Sequence, residues 1–226
     1  MNHESPAAGT TRALIVGRSP SVLVSAVELL REKGYRAEAT NQFDRVLEDY
    51  DVADLDILVF GGMVPPDTKQ HLHDTITERN SQVVFVQGLA GIAGVVAAQV
   101  EAAAAAGMPP IGDVSYDQTK RTFRITLAEA EHVSVEALWG TSFTPPEPTS
   151  TAAPIFDGEL AAGSHEIALP DQVPDVASFA VVRVRDHVRV LTIGAMPQAV
   201  ARMVPKSAED RRLPGVATVT THDPDR

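Results

Sequence analysis

The chain has 226 residues, 44% of them apolar and 22% charged, enough for one large globular domain or two small ones, each with its own core. A formal net charge of -11 argues against a nucleic-acid backbone or an anionic membrane as the main partner. No apolar run approaches the roughly 18–20 residues needed to span a bilayer. The absence of cysteine excludes disulfides, thiolate metal sites and cysteine nucleophiles.

Residues 1–11 are polar, lack the apolar centre of a signal peptide and read as a flexible lead-in, so the expected location is cytoplasmic. Ala13–Val16 is apolar throughout, as a strand covered on both faces would be. The turn Gly17-Arg18-Ser19-Pro20-Ser21 follows, and Ser19 or Ser21 suits the cap of a helix whose apolar face carries Val24, Val27 and Leu30. Lys33-Gly34 ends that helix.

Tyr35–Thr40 is expected as a second strand, and Phe43, Val46, Leu47 and Tyr50 fit a short helix. Leu55–Phe60 is a third strand closed by Gly61-Gly62, and Thr68–Arg79 is helical with Leu72 and Ile76 inward. Gln82–Val86 and the alanine-rich Gly91–Ala106 complete a βαβαβαβα alternation. Such alternation implies a doubly wound parallel sheet over 12–107.

The pattern changes after Met108-Pro109-Pro110. Thr122–Leu127, His132–Leu138, His165–Leu169 and Ser178–Ile193 alternate with period two. Residues 118–197 therefore read as a smaller β-rich, sandwich-like module, with Phe143–Pro154 as a stiff proline-rich loop. Residues 198–226 carry one weak helical segment and read as a flexible tail. A protein partner or a second copy of the chain would dock on the β-rich module.

Three segments of the first half resemble the short-chain dehydrogenase/reductase family. ALIVGRSPSVLV is similar to its phosphate-loop motif: Gly17 matches the first glycine, while Ser21 and Leu23 stand at the second and third. LDILVFGGMV is similar to the strand that follows, with Asp56, Leu58 and Val59 matching and Gly61-Gly62 in the loop. VVFVQGLAGIAG is similar to the strand that delivers the family's catalytic serine, with Gly88 at the serine position.

The resemblance implies a Rossmann-like fold with a dinucleotide at Gly17, Arg18, Ser19, Ser21, Thr40, Gly61 and Gly62. Arg18 after the first glycine, with Thr40-Asn41 in place of an acid, implies NADP; a solvated loop arginine is the alternative. Tyr116 and Lys120 match the family's tyrosine–lysine pair, the lysine lowering the phenol's pKa on a shared helix face. The serine partner is missing. The expected protein is a diverged family member that binds NADP(H) weakly, has an incomplete catalytic apparatus and serves a binding or regulatory role. An active NADP-dependent oxidoreductase using Tyr116 and Lys120 is one alternative.

Receiver domains of two-component signalling give the other alternative, a regulatory or interaction module. DILVFGGMVPPD resembles their phosphoacceptor strand and loop, with Gly61 in place of the aspartate and Val16-Gly17 in place of an acidic pair. That substitution implies no phosphotransfer. His71 and His73 lie two apart on a helix, a spacing that does not share one ion, and no metal site is expected.

Overall fold

A computed structural model describes residues 10–108, 112–144, 147–210 and 212–223. Its first half alternates as the pattern requires: β1 (Arg12–Val16), α1 (Pro20–Glu32), β2 (Arg36–Thr40), α2 (Val46–Asp49), β3 (Ile57–Phe60), α3 (Pro66–Arg79), β4 (Val84–Gln87) and α4 (Ala93–Ala104). A short 3-10 turn, Phe43–Arg45, leads into α2. The four strands form one parallel sheet in the order β2-β1-β3-β4.

Successive strand residues point to opposite faces, so β1 supplies two cores. Ala13 and Ile15 meet Leu23, Val27 and Leu30 of α1 and Val96 and Val100 of α4. Leu14 and Val16 meet Val46 of α2 and Leu72 and Ile76 of α3. Helices thus cover both faces, which explains a strand with no polar residue after Arg12.

The remaining strands are antiparallel: β5 (Gly112–Asp117), β6 (Thr122–Leu127), β7 (Glu131–Ser142), β8 (Thr149–Leu160), β9 (Gly163–Ala168), β10 (Ser178–Val184) and β11 (His187–Gly194). They make two sheets, β11-β10-β7-β8 and β5-β6-β9. Phe123 and Ile125 of one sheet pack with Val133, Val135, Ala180 and Val182 of the other. A final short helix, α5 (Gln198–Met203), follows β11. No helix among the described residues is long and apolar enough to cross a membrane.

Several expectations are corrected. The β-rich part begins at Gly112, before residue 118, because Tyr116 lies in β5 and pairs with Phe123. Much of the expected loop Phe143–Pro154 belongs to β8, which pairs with β7; Pro145 and Pro146 lie outside the described residues. Pro154 is tolerated there because β8 is an edge strand and the ladder slips in register between Val135 and Glu136, beside it.

The expected flexible tail instead returns to the edge of β2. Thr220 bridges Thr40 antiparallel, the Asn41 N–H donates to the Val219 carbonyl at 3.1 Å, and the Thr221 N–H donates to Ala39 at 2.9 Å. The Tyr50 hydroxyl reaches the carbonyls of both Ala39 and Thr221 at 3.0 Å. Hydrogen bonds between segments about 180 residues apart leave no local apolar period to read.

The break near residue 107 does not separate two independent cores. Val96, Ala97 and Val100 of α4 face the parallel sheet. Val95 and Ala98 face Leu138, Phe179, Val181 and Val188 of the antiparallel sheet. A helix that buries apolar residues on two opposite sides is an interior helix. Glu101 of α4 accepts from Lys33 Nζ at 2.8 Å and from Arg183 Nη2 at 3.0 Å, tying α1 and β10 to the same carboxylate.

Candidate functional site

The carboxyl ends of β1, β3 and β4 open into a cavity of about 240 Å³. Gly17 and Gly61, at the ends of β1 and β3, line it together with Ile15 and Val59. Gly17, Gly61 and Gly88 follow the three strands and extend their ladders: Gly61 N–H donates to Val16 at 2.8 Å and Gly88 N–H to Phe60 at 2.8 Å. A Cβ on Gly61 would lie 3.1 Å from Gly17 Cα, and one on Gly88 would lie 3.1 Å from the Phe60 carbonyl oxygen. Only glycine lets these strand ends lie this close; Gly17 and Gly61 line the cavity, and Gly88 packs against Gly61 outside the lining.

Val22 and Leu23 of α1, Leu89, Ala90 and Gly91 after β4, and Val96 of α4 form the walls. Phe143 and Pro148, from the connection between β7 and β8, close one side. Met196, Val200, Met203, Val204 and Leu213 cover the top. Sequence reasoning missed these last two groups. The spacing of Met196, Val200, Met203 and Val204 was the one available signal, since it repeats at three to four residues as one face of a helix does.

Among the expected dinucleotide residues, Gly17, Arg18, Ser19, Gly61 and Gly62 all border the cavity. Ser21 and Thr40 are not in its lining. The Ser21 hydroxyl donates to Glu147 Oε2 at 2.6 Å. Thr40 is fully buried, and its hydroxyl oxygen accepts the Gln42 N–H at 2.9 Å under the returning tail. Leu23, at the third glycine position, is buried in the core, with Cδ2 3.1 Å from where a Gly17 Cβ would be. The Arg18 guanidinium donates to the Pro214 carbonyl.

Comparison with family models, curated proteins and solved structures gives no match for this chain. Arg18 is the sole ionisable side chain among the described lining residues, and Ser19 the sole hydroxyl.

Tyr116 and Lys120 lie elsewhere. They border a small pocket on the β5-β6-β9 sheet with Arg124 and Glu166, sharing no residue with the larger cavity. The helix that the family resemblance implies is here a strand and turn, because Asp117 Oδ1 accepts the N–H groups of Thr119 and Lys120 and bends the chain there. Burial pushes the Tyr116 phenol above its ordinary value, opposite to the expected lowering by lysine. Its ring packs 4.9 Å from that of Phe123. His73 packs on Phe85 at 4.3 Å, and no group of three or more His, Asp or Glu among the described residues is placed to hold a metal ion.

Proposed function

We propose that this chain is a non-catalytic binding module whose crevice takes one small apolar molecule, and that its role is regulatory. The observation that carries this reading is the cavity lining, where the sole ionisable group among the described residues is a guanidinium. General acid–base work needs a group that exchanges a proton near neutral pH, and arginine does not. Among the described lining residues Ser19 has no base beside it to activate it as a nucleophile. An apolar concavity with one or two polar groups at its rim suits binding. Arg18 and Ser19 would meet the polar or anionic end of the ligand.

A Rossmann-like reading, in the broad sense, is supported by helices on both faces of the parallel sheet and a crevice at the point where strand order reverses, between β2-β1 and β3-β4. The sheet's order favours the receiver-like version over the dinucleotide-binding one. In dinucleotide-binding halves the third strand lies beyond the second, whereas in receiver-type sheets it crosses to the far side of the first. The β-rich part, sandwich-like in its shared core, would then transmit the state of the crevice to a partner.

Three features weigh against the NADP expectation. Leu23 fills the space where a glycine would admit a pyrophosphate, Glu147 sets an acid on Ser21, and Thr40 lies beneath Thr220. Calorimetry and thermal shift with NADPH and with 1-anilinonaphthalene-8-sulfonate separate the readings. Saturable single-site binding of the naphthalene probe with a raised Tm, abolished by Ala90→Phe, is expected, with no response to millimolar NADPH. Stabilisation by NADPH that disappears in Gly17→Val would reinstate the dinucleotide site.

A further inference from the structure

The segment after β11 crosses the mouth of the cavity. It leaves β11 beside a bond from Ala177 N–H to the Ala195 carbonyl, passes α3 where Ala208 N–H donates to Asp67 Oδ2 at 3.1 Å, and meets Arg18 at Pro214. It then joins β2 at Thr220. Its two ends are fixed, with Gly194 and Asp223 both buried.

Between those ends the packing is incomplete. Met196, Val200, Met203 and Val204 turn toward the cavity, yet none of the described side chains from 195 to 210 is buried. Helix α5 has six residues, too few to hold its own hydrogen bonds in water without a surface to pack on. Apolar side chains poised over unfilled apolar space gain contacts only when something occupies that space.

We propose that residues 196–210 form a lid, latched at Asp67, that closes over an apolar ligand and whose ordering is coupled to occupancy of the cavity. The inference rests on the reading of the cavity as a ligand site. The ligand supplies the missing packing surface for α5, and the lid in turn slows the ligand's escape. Ordering of one by the other makes binding and closure a single coupled equilibrium. A change of crevice state thereby becomes a change of surface, which is what a regulatory module must present to a partner.

The test is hydrogen–deuterium exchange on the full chain with and without saturating 1-anilinonaphthalene-8-sulfonate, together with stopped-flow release of the probe from wild type and Asp67→Ala. The expected result is protection gained across 196–210 on binding and severalfold faster release from the variant. Binding that leaves exchange in 196–210 unchanged would overturn the lid and leave the ligand site standing. So would release unaffected by Asp67→Ala while circular dichroism reports the same fold. Absence of saturable binding in wild type would overturn the ligand site and the lid together.

Discussion

Gly61 rests directly on Gly17: a Cβ on Gly61 would stand 3.1 Å from Gly17 Cα and 3.4 Å from the Val16 carbonyl oxygen. Both atoms are backbone, so neither neighbour can swing aside. Gly61→Ala is expected to cost about 1–3 kcal/mol by overpacking and to reduce probe binding with it. Gly62→Ala, where a Cβ meets nothing within 4 Å, is the control and should stay within about 0.5 kcal/mol of wild type. Urea midpoints for the two variants decide the matter.

Glu101 is the charge on which α1, α4 and β10 converge. With a side chain only 10% exposed, it faces Lys33 at 2.8 Å and Arg183 at 3.0 Å. Replacing it with alanine leaves two cations without their partner, at an expected cost of about 2 kcal/mol; part of the full buried-pair loss is forgone because Lys33 reaches solvent. Glu101→Gln, which keeps an acceptor, should lose less. Denaturant unfolding of both variants measures the difference.

Tyr50 couples the tail to β2, and burial pushes its phenol from 10.0 up to about 12. A phenol whose pKa is raised on folding stabilises the folded state in full below pH 10, and that contribution is lost as pH rises toward 12. Ultraviolet titration should therefore find a tyrosine that resists ionisation until about pH 12, with tail release in the same window. Tyr50→Phe abolishes that late step and costs about 1 kcal/mol through the lost hydrogen bond.

Gly94 brings α4 against β7. A Cβ there would lie 2.5 Å from Leu138 Cδ2, so Gly94→Ala alone makes the end of a buried leucine shift. In a Leu138→Ala background the same change should become stabilising by about 1 kcal/mol, because alanine is the better helix former. A double-mutant cycle that finds the two effects additive would refute the contact.

The parallel half was legible because its information is local. An apolar run, a glycine turn and a 3.6-residue period place β1 and α1 within a few residues of their observed limits. The cavity floor was legible for the same reason, since Gly17 and Gly61 close their own strands. What decides between a dinucleotide crevice and a receiver-like one is not local. It depends on whether β3 lies beyond β2 or crosses β1, a choice made by contacts between distant segments. The roof was equally hidden. Met203 and Leu213 sit in a polar stretch whose meaning appears only when Thr220 is found beside Thr40. Pro154 concealed a strand, because proline reads as a break until the strand is known to be an edge.

Helix α4 also sets an order of events during synthesis. It leaves the ribosome with one apolar side matched to the finished parallel strands and the other awaiting β7, β10 and β11. Until Leu138, Phe179, Val181 and Val188 emerge, Val95 and Ala98 lack their cover. The nascent chain therefore passes through an interval in which a completed sheet displays a bare apolar helix, the kind of surface that holding chaperones bind. A nascent chain stalled so that residues up to Met108 have cleared the exit tunnel should be retained by such a chaperone, and one in which Gly194 has also cleared it should be released.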